Sequence, residues 1–173
     1  MALHLIVDGY NLIGASGSGG LAGQEGLEWA RECLLQELQA YKRAKGFRIT
    51  VVFDGTGLTH PPVGVETRNG IVVAYSRGTK TADDVIVGMV ARSPAGIAVV
   101  SSDRQVAERC RGLGAAVIAS EEFRARMAAL RMKEAEDEEE DERERKRLGT
   151  RKKGPAARAS KKRRRDRGVL DRL

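Results

Sequence analysis

Apolar residues fall along this chain in two alternating patterns: short, nearly continuous runs, and longer stretches with one apolar position every three or four residues. Leu3, Leu5, Ile6 and Val7 form the first run, dense enough for a strand buried on both faces. Over residues 25–45, Leu27, Ala30, Leu34, Leu38 and Tyr41 recur at helical spacing, and Gly46 supplies a stop. Arg48–Phe53 and Ile71–Tyr75 read as further strands, and Ala82, Val85, Ile86, Met89 and Val90 mark the buried stripe of a second helix. Ile97–Val100 is a fourth strand, residues 103–113 a third helix, and Ala116–Ile118 a short fifth strand. Strand and helix alternate throughout, the pattern of an α/β protein with a parallel sheet and right-handed crossovers.

Between these elements, residues 14–23 are rich in Gly and Ser and read as a mobile loop. Residues 55–70 carry Gly55, Gly57, Pro61, Pro62, Gly64 and Gly70, and read as a loop or lid. Ser120 with Glu121 and Glu122 resembles a helix start, with Phe123, Met127 and Leu130 as its apolar stripe. After Met132 the stripe vanishes, so residues 1–130 read as one domain and residues 131–173 as a solvated, charged helix fraying into a disordered arm.

Charge sharpens this division. Residues 1–130 carry 14 Lys and Arg against 13 Asp and Glu, whereas residues 131–173 carry 17 against 11, so most of the net +7 lies in the arm. A basic arm on a nearly neutral domain points to a polyanion partner. Cys33 and Cys110 have no CxxC spacing and read as small core or flanking residues in a reducing compartment. No secretory signal and no run of membrane-spanning length is expected, which places the chain in the cytoplasm.

Four of the strand-like runs end on, or just before, an acidic residue: Asp8, Asp54, the Thr81-Ala82-Asp83-Asp84 turn, and Asp103. In an open parallel sheet such positions converge in the crevice beyond the strands' carboxyl ends. Crowded carboxylates repel unless a cation neutralises them, and hard oxygen donors suit Mg²⁺ or Mn²⁺. Each acid taken alone has a structural role open to it, as a turn residue or a helix cap; the fourfold recurrence favours the site. On the helical wheel Asp83 falls at the margin of the buried face while Asp84 points away. Asp8, Asp54, Asp83 and Asp103 are therefore the expected ligands, with Asn11, Thr81, Ser102 and Asp84 in support. Such a site polarises a phosphoryl oxygen and lowers the pKa of bound water, chemistry that fits phosphodiester hydrolysis. No phosphate loop appears, and Gly17-Ser18-Gly19-Gly20 lacks the spacing of a dinucleotide fingerprint. Neither His4 nor His60 looks catalytic.

With these residues laid out, the chain resembles the YacP-like NYN domain nucleases, relatives of the PIN domain ribonucleases. The resemblance rests on IVDGYNLIGA, VVFDG, TADDVI and SSDR, in that order, and covers about residues 3–130. It implies a PIN-like three-layer α/β/α sandwich with a central, mainly parallel sheet. It also implies an endoribonuclease in which Mg²⁺ or Mn²⁺ activates water, acting on mRNA, in some members in association with the ribosome. By motif, Asp8, Asp83 and Asp103 take the catalytic acids' places, Asp54 the acid after the second strand, and Asn11 the neighbour of the first.

Arg68, Arg77, Lys80 and Arg104 are candidate contacts to RNA phosphates, and Lys161, Lys162, Arg163, Arg164 and Arg165 in the arm add non-specific, salt-dependent affinity. The leading reading is a metal-dependent endoribonuclease acting on single-stranded RNA. Its competitor is a non-catalytic RNA- or ribosome-binding adaptor whose acids only cap helices. A phosphatase of the haloacid dehalogenase type is excluded, because the second aspartate it needs falls at Tyr10.

Overall fold

A single six-stranded sheet organises the chain, whose computed structural model describes residues 3–15, 24–55 and 64–149. Its strands are β1 (His4–Asp8), β2 (Arg48–Phe53), β3 (Val65–Arg68), β4 (Ile71–Tyr75), β5 (Ile97–Val100) and β6 (Ala116–Ile118). The helices are α1 (Gly9–Gly14), α2 (Gln24–Lys45), α3 (Ala82–Arg92), α4 (Arg104–Gly112) and α5 (Ser120–Gly149). The spatial order is β3-β4-β2-β1-β5-β6, and every neighbouring pair is parallel except β3 with β4.

The sandwich follows from which strand residues are apolar. Leu5, Val7, Ile49, Val51, Phe53, Val73 and Val100 face α1, α2 and the start of α5, meeting Leu12, Leu34, Leu38, Tyr41, Phe123 and Met127. Ile6, Val52, Ala74 and Val99 alternate to the other face and meet Ala82, Ile86, Val90, Val106 and Cys110 of α3 and α4. Strands apolar on both sides must be covered on both sides; the three-layer α/β/α sandwich with a mainly parallel sheet is the result. Cys110 is a core residue and Cys33 is half-buried; both are free thiols.

Two expectations need correction. Residues 55–70 are not wholly a loop, because Val65–Arg68 forms an antiparallel edge strand. Its side chains are mostly exposed, so it has no apolar alternation by which sequence reading finds a strand. Leu27 lies outside the core, exposed in the first turns of α2, while Ala30, Leu34, Leu38 and Tyr41 are buried. Gly46 does stop α2, at a positive φ of 73° and with its amide bonded to the Lys42 carbonyl. The rest of the two loops, residues 16–23 and 56–63, lies outside the described residues, as does the arm from residue 150.

The chain divides into two compact units, Met1–Glu134 and Ala135–Leu173. In the second, the described side chains from 135 to 147 are all exposed. Pairs four residues apart, Arg143 with Glu139 and Lys146 with Glu142 at 3.3 Å each, support the helix there in place of packing. Among the described residues, no helix is long and apolar enough to cross a membrane.

Candidate active site

β1 lies between two parallel neighbours, β2 and β5; the chain crosses from β1 to β2 on one side and, after β4, returns to β5 on the other. This is the switch point where an open α/β sheet leaves a crevice past its carboxyl ends. Asp8 is the last residue of β1 and is only 8% exposed. One carboxylate oxygen accepts from the Asn11 amide at 3.2 Å, capping α1, and the other from the Ser101 hydroxyl at 3.1 Å. That hydroxyl in turn accepts the Asp103 amide at 3.1 Å. Ser101, buried at the end of β5, thus links the first acid to the backbone of the last.

Asp103 caps α4, its Oδ1 accepting from the amides of Gln105 and Val106 at 2.8 and 3.0 Å. Asp54 follows β2, and its Oδ1 accepts from the Ser76 hydroxyl at 2.8 Å, a hydroxyl that also receives the Gly55 amide at 3.0 Å. Gly55 is obligatory here: a β-carbon on it would stand 2.4 Å from the Ser76 carbonyl oxygen. Gly9 is as tightly constrained, by the Phe53 ring.

At the start of α3, burial follows the helical wheel. Ala82 is buried, Asp83 half-buried, and Asp84 exposed. Thr81 and Asp84 form a reciprocal capping box, and Asp84 also meets Arg109 at 3.4 Å. Those two residues therefore serve the helix end. Hydrogen bonding to the Thr81 amide, with help from Arg109, holds the Asp84 carboxyl below its usual range.

Asp8 and Asp83 behave in the opposite way. Burial pushes the Asp8 carboxyl up, against the bonds from Asn11 and Ser101, and the negative charges of Asp83 and Asp103 push it further. Asp83 is raised by burial and then by Asp103, with Asp84 and Asp54 adding to the rise and Arg109 opposing it. Asp8 thus feels the charges of Asp83 and Asp103, and Asp83 those of Asp103 and Asp54, as expected of acids that open onto one crevice. Among the described residues, no three carboxylate, imidazole or thiol groups stand together as a ready-made metal cage. Mg²⁺ rarely needs one, being held by one or two carboxylates with water and substrate oxygens. One buried carboxylate, Asp8, with half-buried Asp54, Asp83 and Asp103 beside the crevice, fits that kind of open site.

The proposed cations divide. Arg68 is not at the crevice: because β3 runs antiparallel, its last residue pairs with Ile71 at the amino end of β4, and its guanidinium is engaged by Glu66 and Glu32. Arg104 pairs with Glu108 on its own helix. Arg77 and Lys80 lie exposed in the turn between β4 and α3, on the crevice side. Lys161 to Arg165 lie outside the described residues. Sequence reading missed Ser76 and Ser101, and gave Ser120 only the role of a helix start. A serine has no pattern of its own; only the hydroxyl's partners, far away in sequence, reveal its task.

A mainly parallel α/β/α sandwich with acids beyond its strand ends is the architecture of a PIN-like domain. The chain belongs to the YacP-like NYN domain family, whose profile matches residues 5–165. Domains of this family are nuclease domains that act on RNA and generally use divalent metal ions. A stretch of 85 residues is 35% identical to the uncharacterized protein YacP of Bacillus subtilis (strain 168), covering 47% of this chain. The chain spans 48% of that relative's length. Among solved structures, Rae1 (YacP) from Bacillus subtilis is similar with a TM-score of 0.67 at 27% identity, over 86% of each chain. A mutant form of Rae1 from the same organism gives a TM-score of 0.65 at 27% identity, over 76% of this chain and 78% of that one.

Proposed function

We propose that this chain is a metal-dependent endoribonuclease that hydrolyses phosphodiester bonds of single-stranded RNA in the cytoplasm, with mRNA, in some settings on the ribosome, as its target. The observation that carries the reading is that Asp8 ends β1 at the switch point of the sheet, tied through the Ser101 hydroxyl to the backbone of Asp103, with the charges of Asp83 and Asp103 reaching its carboxyl. Asp8, Asp83 and Asp103 would hold Mg²⁺ or Mn²⁺, with Asp54 as a further ligand. The ion, when bound, polarises a phosphoryl oxygen and lowers the pKa of an attacking water. The chain's own part is to fix the donors: Ser101 orients Asp8, Ser76 orients Asp54, and the α4 amides orient Asp103. Arg77 and Lys80, on the crevice side, suit the RNA backbone.

Purified protein should cleave a labelled single-stranded RNA with Mg²⁺ or Mn²⁺ and stop when EDTA is added. Cleavage that continues in EDTA removes the metal from the mechanism. We assign the reaction to residues 1–130 and polyanion binding to residues 131–173. Deleting residues 148–173 should leave the fold intact, weaken RNA binding and flatten its salt dependence, by about 0.7 in the log–log slope for each phosphate no longer neutralised. An unchanged slope would refute a role for the arm.

A second reading, a non-catalytic RNA- or ribosome-binding adaptor, draws on one observation: Asp8, Thr81 and Asp103 each cap a helix. Asp83 weighs against it, since Thr81 and Asp84 already make the cap of α3 and Asp83 takes no part in it. The EDTA experiment separates the two.

A further inference from the structure

Three segments distant in sequence are tied beside Asp8 by a closed ring of hydrogen bonds. The Asn11 side-chain oxygen accepts from the Ser102 amide at 2.8 Å and from the Ser120 hydroxyl at 2.6 Å. The Ser102 hydroxyl oxygen accepts the Ser120 amide at 2.9 Å, closing the ring, and donates to Glu121. Asn11 belongs to α1, three residues beyond Asp8; Ser102 lies between Ser101, which bonds Asp8, and Asp103; Ser120 opens α5.

We infer that Ser120 is a positioning residue for the metal-binding acids, acting through Asn11 and Ser102. The inference rests on the metal-nuclease reading above. Both lone pairs of the Asn11 oxygen are in use, and Ser120 is fully buried, so no water replaces its hydroxyl. The ring is not needed to seat α5, because Phe123 and Met127, 1% and 4% exposed, already anchor that helix in the core. What it fixes is Ser102, the one residue between the hydroxyl that holds Asp8 and the acid Asp103. Outer partners of metal ligands act in this way, by limiting the directions their ligands can take.

The test compares Ser120→Ala, Ser120→Thr and Ser102→Ala with the parent full-length chain. Mn²⁺ affinity is measured by calorimetry, RNA cleavage as separate kcat and KM, folding by thermal melting, and the Ser102 amide by hydrogen exchange without metal. Ser120→Ala should weaken Mn²⁺ binding about tenfold and lower kcat with little change in KM. Ser120→Thr, which keeps the hydroxyl, should restore both. Ser102→Ala alters an exposed side chain, removes the hydroxyl that closes the ring, and should shift in the same direction even where Ser120→Ala fails to fold. Mn²⁺ affinity and kcat unchanged in folded Ser120→Ala, or in Ser102→Ala, would overturn the inference, whatever the melting temperature does. Should the parent chain neither bind Mn²⁺ nor cleave RNA, the metal reading falls by itself. The Ser102 amide then decides: faster exchange in Ser120→Ala sustains the ring as a positioning device, and equal rates overturn it.

Discussion

Replacing Asp8 with asparagine should cut RNA cleavage at least about 100-fold, since loss of an outer partner of a metal ligand alone can cost that much. The same change should stabilise the metal-free protein at neutral pH. Burial, reinforced by Asp83 and Asp103, holds the Asp8 carboxyl above its ordinary 3.8, so the folded chain binds that proton more tightly than the unfolded one. The group's stabilising contribution is complete below pH 3.8 and is lost as pH rises through the folded value. At neutral pH the carboxylate is therefore a burden on the fold, which an uncharged amide of the same shape removes. The melting temperature should rise by about 2–4 °C for each kcal/mol relieved. Mg²⁺ should raise the melting temperature of the parent chain and leave that of Asp8→Asn where it is, because only a ligand bound to the native state shifts the transition. Thermal melts of both proteins with and without Mg²⁺ check this, and a variant less stable than its parent would show that the burden relieved is smaller than the loss of the oxygen that accepts from Ser101.

Substituting Gly55 with alanine should damage stability and site together. The added methyl would meet the Ser76 carbonyl oxygen at 2.4 Å, a backbone atom that cannot turn aside as a side chain does. The Ser76 amide is bonded to the Phe53 carbonyl at 3.0 Å, so any retreat pulls on the pairing of β4 with β2. Overpacking of this kind costs about 1–3 kcal/mol. It also separates the Ser76 hydroxyl from Asp54 and from the Gly55 amide, the hydrogen bonds that aim that carboxylate. Urea unfolding should show a lower midpoint with an unchanged slope, and cleavage should weaken beyond what the unfolded fraction explains. Parental stability in Gly55→Ala would mean that β2 and β4 part more widely here than 2.4 Å implies.

How much of this was legible in the sequence depended on whether a residue's role is written in its neighbours. Val7 and Val100 read as buried strands because apolar runs have no other use in a short segment. The acids read as a group because each follows such a run, and the separation of Asp83 from Asp84 followed from helical geometry. β3 escaped because an exposed edge strand needs no apolar face; with it went the position of Arg68, since strand direction decides which end of the sheet a residue occupies. Ser76, Ser101 and Ser120 escaped because each bonds across at least 22 residues, to Asp54, Asp8 and Asn11. Sequence separations of 93 and 109 for the last two leave no local trace.

The shared hydroxyl of Ser101 has one more consequence. It gives its hydrogen to Asp8 while receiving the amide hydrogen of Asp103, so the two polar groups are wired in series. Anything that neutralises Asp8, a proton or a cation, draws less on that oxygen and alters its pull on the Asp103 amide. The nitrogen resonance of Asp103 is thus a built-in beacon for the charge state of a carboxylate that carries no amide signal of its own in the crevice.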